Sequence, residues 1–393
     1  MSRSTEVKVA GSYDSLSELR EKLLGLRVET VAEATGIASE RLRAVEAGAP
    51  ASVLELELLG DAYGIDADAL YDRPIVLADG CAIGALASLD EFRDVGQLTR
   101  VRIVRAANAA RDLIALRGLL GDEIAALPKL SSPNPVQSPY EQGAALAREL
   151  RKLLGLGVEP IASMRDLVSV LLPGVQVLYA DLGHQGPAGL SFADATRGPA
   201  VVLNLRGKNE NAAVRRFSLA HELCHLLVDW NDALPLASIS GYLSDAGLER
   251  EQRANGFAVR FLCPETVVYR LRDAHEDEAL RVVMGEYKLH YQAARLYLRN
   301  EANFHLPERL PSLLPDPSLE AVEAPRAVLE FPLPEVPPER RGSFAEAAVR
   351  AWSRALLSRD AFGEQLRVTA GAELERVADY FGLDIPEDDA IAS

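Results

Sequence analysis

The stretch Arg216-Phe217-Ser218-Leu219-Ala220-His221-Glu222-Leu223-Cys224-His225-Leu226-Leu227 decides how the centre of this chain is read. It sets H-E-x-x-H inside an apolar run that suits a buried helix. On a helix, His221 and His225 lie four residues apart and share one face. Two imidazoles so placed can hold one metal ion, and Glu222 beside them can take a proton from metal-bound water. The pattern points to metal-dependent peptide hydrolysis.

Catalytic zinc takes three protein ligands and keeps one position open for water. The third ligand is expected from a nearby element, and Glu251 is the first choice. It begins Glu251-Gln252-Arg253-Ala254-Asn255-Gly256-Phe257-Ala258, which is polar first and apolar later, as suits a helix whose early residues face a cleft. Glu249 and Asp245 are the alternatives. The ion would lower the pKa of its water from about 15.7 toward about 7. Glu222 would take that proton and pass it to the leaving amine. Asn255, one turn beyond Glu251, is placed to orient a histidine or brace the two helices. Two histidines and a carboxylate suit Zn2+, with Mn2+ or another divalent ion as alternatives.

Elsewhere the chain is helix-rich. Residues 16–71 hold short apolar-periodic segments, with a break at Thr35-Gly36, Ser39 as a candidate cap and a stop at Gly48. This spacing fits helix-turn-helix. A helix is expected over 98–120. Four prolines between Pro128 and Pro139 argue for a linker. Helix returns at 140–154, strands at 175–179 and 201–205, and helix again at 248–262 and 279–300. The strand at 201–205 is a candidate edge for an extended peptide. Residues 307–338 are proline-rich and read as mostly extended. Two or three helices follow from Phe344 to Phe381, with Trp352, Phe362, Leu366, Leu374, Val377 and Phe381 as a small packed bundle. The expected fold is mostly α with a small β-sheet. Its divisions are 1–75, a helix-turn-helix unit; 76–139, a helical connector and linker; 140–306, an α+β metal domain; and 307–393, a proline-rich segment and helical end.

The net charge of -16 argues against a broad nonspecific nucleic-acid surface. It leaves room for a small DNA-reading module. No run of eighteen apolar residues suggests a membrane span, Met1–Lys8 lacks an apolar signal core, and Cys81, Cys224 and Cys263 make no disulfide framework. These features read as cytoplasmic, with no membrane partner.

At the two central motifs the chain resembles the ImmA/IrrE family of metallopeptidases. Arg216 through Leu227 matches its R-F-x-x-A-H-E-x-x-H-x-L run. Glu251 through Ala258, with Pro264 after it, matches its E-x-x-A-N-x-F-A segment. The resemblance covers about residues 141–300. It implies a zincin-like fold and a zinc-dependent endopeptidase acting on a helix-turn-helix repressor in a stress or mobile-element circuit. It also implies His221, His225 and Glu251 as metal ligands and Glu222 as general base. Cys224 departs from the glycine common in relatives, and reads as packing, a site-edge contact or a redox-responsive thiol.

The N-terminal unit resembles the helix-turn-helix of Cro/C1-type repressors, carried by Leu26, Val31-Ala32, Gly36-Ile37, Leu42, Val45-Glu46 and Gly48. The recognition helix would be Ser39–Ala47, with Glu40, Arg41 and Arg43 exposed, and an arginine can read guanine bidentately. Yet Val28 stands where relatives often have a phosphate-contacting glutamine, and residues 1–77 carry 8 basic and 14 acidic side chains. DNA binding through residues 16–71, homodimerisation or partner docking, and a purely structural module are the readings. For the whole chain, the enzyme reading stands beside a DNA-binding transcription factor whose metal domain senses a ligand or metal and cuts little. Self-cleavage near Ser132–Pro139 is a third.

Overall fold

The computed structural model describes residues 12–70, 74–76, 82–194, 198–230, 235–241, 248–308, 316–368 and 373–385. The chain is mostly helical, with one small mixed sheet. Strands β1 (Ser12–Tyr13) and β2 (Ile75–Val76) pair antiparallel beside the N-terminal helices. The main sheet comprises β3 (Gln176–Ala180), β4 (Gly189–Asp194), β5 (Gly198–Asn204) and β6 (Leu236–Ser240), in the order β3-β5-β4-β6. β3 and β5 run parallel; β4 is antiparallel to both β5 and β6.

The candidate edge at 201–205 is therefore interior. β5 has β3 on one side and β4 on the other, and the edges are β3 and β6. The strand that closes it off, β4, is a short alternating segment: Leu190 and Phe192 face one side, Gly189, Ser191 and Ala193 the other.

That alternation separates two cores. Leu178, Leu190, Phe192, Val202 and Ile239 join the N-terminal helices, the long helix Gln97–Leu119 and the C-terminal helices. Tyr179, Ala193, Val201, Leu203 and Leu236 join the helices that carry the two motifs. The sheet is a partition buried on both faces.

The N-terminal helices span Val28–Thr35, Ser39–Glu46 and Val53–Tyr63. The first ends at Gly36, whose φ is 73°. Ser39 is the first helical residue rather than the cap; Ala38 holds the cap position and makes no side-chain bond there. The C-terminal helices Ser343–Ser353, Arg359–Leu366 and Glu375–Phe381 bury Trp352, Phe362, Leu366, Leu374 and Val377 in the first core, with Phe381 packed against it.

Two other expectations change. The segment 279–300 is not one helix. A π-helix, Arg281–Glu286, stops before Lys288, which adopts φ 58°, and a new helix spans Tyr291–Ala302. The proline-rich segment is not mostly extended either. Pro317 starts a helix, Pro317–Glu323, capped by Asp316, because proline at the first helical position loses no hydrogen bond. This helix clasps the motif helix: Arg215 pairs with Glu320 at 2.9 Å, and Arg216 lies 3.6 Å from Glu323. Among the described residues, no helix is long and apolar enough to cross a membrane.

Candidate metal centre

The motif helix spans Ala212–Cys224 and runs on as a π-helix, His225–Asp229. Asn211 caps its start by accepting from the Ala213 amide at 2.9 Å. Arg216 is buried and donates to the Ile161 carbonyl at 2.7 Å, anchoring the helix beside the sheet. The second element is the helix Glu249–Leu262, whose first turn carries Glu251. It lies against Pro139–Leu153 so closely that glycine is required on both sides. A Cβ on Gly143 would fall 2.1 Å from the Arg253 carbonyl oxygen, and one on Gly256 would fall 2.5 Å from that of Tyr140. Backbone-on-backbone contact thus fixes where Glu251 stands.

His221, His225 and Glu251 converge, all buried. The two histidine Nε2 atoms are 3.2 Å apart. Glu251 Oε2 is 3.1 Å from Nε2 of His221, and Oε1 is 3.4 Å from Nε2 of His225. A tetrahedral cation at zinc's usual bond lengths would separate its donors by about 3.3 Å. The donor set and its spacing fit a small divalent cation. Glu251 Oε1 and both oxygens of Glu222 are buried without hydrogen-bond partners, as groups awaiting a ligand would be.

The outer nitrogens of the histidines explain why Nε2 points inward. His221 Nδ1 donates to Asn255 Oδ1 at 3.2 Å, as expected of an orienting residue. His225 Nδ1 donates to Asp229 Oδ2 at 2.7 Å. Asp229 is in turn paired with Arg253. Each imidazole is held with its Nε2 toward the centre. Of the other ligand candidates, Glu249 is exposed at the helix start, and Asp245 lies outside the described residues.

Electrostatics reflect this closeness. Burial favours neutral His225, but the hydrogen bond to Asp229 and the nearby Glu251 carboxylate win and push it up to about 10. Burial likewise opposes a charged Glu251, yet the two imidazoles hold its carboxyl far below the usual carboxylate range. Glu222 moves the other way: full burial raises it, against the pull of His221, His225 and the Ser240 hydroxyl. Its carboxylate lies over β4, where a Cβ on Gly189 would fall 2.6 Å from Oε1. Cys224 is buried in the second core and burial pushes its thiol well up, so it packs rather than ligates.

Residues 172–299 match the peptidase M78 family model, described as an IrrE N-terminal-like domain. The match spans both motifs, so this part of the chain is similar to a metallopeptidase domain. No curated protein and no solved structure matches the chain.

Sequence reasoning missed Asp229, Arg253, Ser240 and Gly189. Asp229 follows His225 by one helical turn, a spacing that could have drawn attention. Gly189 and Ser240 meet only through the pairing of β4 with β6.

The DNA-reading candidates lie elsewhere, and their two arginines already hold carboxylates. Glu40 is exposed, as expected. Arg41 is half-buried rather than free: its guanidinium spans both oxygens of Glu55, at 2.6 and 2.7 Å, and the Pro50 carbonyl. Arg43 is exposed and pairs with Glu29 at 2.7 Å. Ser39 is half-buried.

Proposed function

We propose that this chain is a zinc-dependent endopeptidase and transcriptional regulator that cleaves a helix-turn-helix repressor in a stress or mobile-element circuit. The observation that carries the chemistry is the 3.1–3.4 Å spacing of three buried donors with an unpartnered, buried carboxylate one residue along the same helix. When bound, a divalent cation supplies Lewis acidity to a peptide carbonyl and to a water molecule.

The chain's own residues do the rest. His221, His225 and Glu251 hold the ion, with Asn255 and Asp229 setting the imidazole rings. Glu222 takes a proton from the attacking water at its carboxylate. It then hands that proton to the departing amide nitrogen. β6, the edge strand that ends at Ser240 beside Glu222, is the strand an extended substrate pairs with once the site opens, since all five of its residues are buried. Operator binding through residues 16–71 belongs to the same proposal. Exposed ion pairs such as Arg43–Glu29 hold weakly, so phosphate can exchange for the carboxylate.

Glu222→Gln tests the enzyme. It should keep the metal and lower cleavage of a repressor encoded nearby by about 10²- to 10⁴-fold. Undiminished cleavage would remove Glu222 from the mechanism.

One observation favours a second reading, a DNA-binding factor whose metal domain senses a ligand or metal. Glu222 and His225 are 0% exposed, and His221 only 6%, so substrate needs an opening of the site. Regulation in cells that survives Glu222→Gln would favour that sensor.

A further inference from the structure

Arg250 stands between two carboxylates that are far apart in the sequence. Its Nη2 lies 3.5 Å from Oε1 of Glu91, on the short helix Asp90–Asp94 of the connector. Its Nε lies 3.4 Å from Oε1 of Glu251. Arg250 Nε and Glu251 Oε1 are both buried, and neither has a hydrogen-bond partner. The guanidinium is near enough to act through charge but has not taken the oxygen a cation would use.

Such a charge works against metal binding. A fixed cation about one contact distance from a ligand oxygen repels an incoming dication and competes for the same lone pair, more strongly where water is excluded. Without a counterweight, Arg250 would swing onto Glu251. Glu91 supplies both an opposing pull and an opposing charge. Its own position is set by the next residue, Phe92, which is buried in the N-terminal core.

We propose that Glu91 is a positioning residue for the metal centre. It holds Arg250 back from Glu251, so the seating of the connector against the metallopeptidase-like domain sets how tightly the site holds its divalent cation. A partner or operator that shifts the N-terminal helices acts on metal affinity through this one arginine. The inference rests on His221, His225 and Glu251 forming a metal site.

The test is zinc affinity of the full chain, read by competition with a chromophoric chelator, for wild type, Glu91→Gln, Arg250→Gln and the double variant. Glu91→Gln should weaken zinc binding about 3- to 10-fold, a typical coupling between groups in contact. Arg250→Gln should tighten it, and the double variant should bind like Arg250→Gln alone. A merely structural ion pair would lower thermal stability in both single variants and leave affinity unmoved. Glu91→Gln with wild-type affinity, or an equal loss in the Arg250→Gln background, overturns the inference alone. Should Glu91→Gln fold poorly, wild-type affinity in Arg250→Gln overturns it independently. A wild-type chain that takes up no zinc overturns the metal reading and this inference with it.

Discussion

Two buried charge clusters, one in each core, are built on opposite terms. In the first core, Arg340 is 1% exposed and its guanidinium is fully engaged. Nη2 reaches Asp61 at 3.2 Å and Asp112 at 2.7 Å, Nη1 donates to the Gln365 carbonyl at 2.9 Å, and the Phe344 ring lies 4.9 Å away. In the second core, His221, His225 and Glu251 are as deeply placed, yet Glu222 and one Glu251 oxygen have no partner. The Arg340 cluster ties together the helix Val53–Tyr63, the long helix and the C-terminal segment. The histidine cluster leaves buried polar atoms unsatisfied, a cost that a ligand would offset. Arg105 and Arg367 beside the brace also bury an unpartnered Nε, but Asp61 and Asp112 both have partners there, so the unpaired carboxylate is what marks the site.

Breaking the brace gives the largest expected effect. Arg340→Ala takes from Asp61 and Asp112 their most buried partner, leaving them to Arg105, Arg111 and Arg367, and should cost about 3 kcal/mol in chemical unfolding. Zinc affinity of the folded fraction should be unchanged, and a parallel loss would show that the two clusters are not separate. Smaller is Asp229→Asn, which weakens the hold on His225. Zinc affinity should fall about 10- to 100-fold, and the metal-free chain should also unfold at lower urea, because Asp229 pairs with both His225 and Arg253.

Smaller still is the response to pH. In the metal-free chain His225 is pushed up to about 10, from an ordinary 6.5. Its contribution to stability is therefore fully present below about 6.5 and is lost as pH rises through about 10. Glu251 is depressed, so its contribution is present above its ordinary value and lost in acid. Urea midpoints measured in chelator should fall from pH 7 to pH 10, and His225→Ala should flatten that slope. At pH 7.5 zinc uptake should release about one proton, seen as a buffer-dependent heat in calorimetry. The Arg340 cluster, whose charges are mutually satisfied, should show no such slope across this range.

What could be read in advance follows from how local each signal is. His221, Glu222 and His225 are four residues apart at most, and helical periodicity alone sets their geometry. Glu251 was reachable because its helix begins polar and ends apolar. Asp229 was within reach of the same reasoning, one turn past His225, but a lone aspartate reads as a helix end. β4 and β6 were missed because each is five or six residues long and mixes serine and alanine with its apolar side chains. Their pairing, not their composition, makes them strands. The proline-rich segment misled for a local reason: proline forbids the inside of a helix but suits its first residue, and Pro317 occurs where Asp316 can cap. The partners of Arg41 and Arg43 lie fourteen residues away in each case and could not be inferred from spacing.

The central sheet, with an apolar core on each face, has one more consequence. Sliding β4 by a single residue along its neighbours would turn Leu190 and Phe192 toward Glu222 and send Ser191 and Gly189 into the opposite interior. Bulk would then fill the space the carboxylate needs. A sheet with one wet side already resists such slippage by keeping its apolar side chains from water. Here both sides check the alignment, so the accuracy of strand pairing is enforced by the same atoms that leave room for the general base.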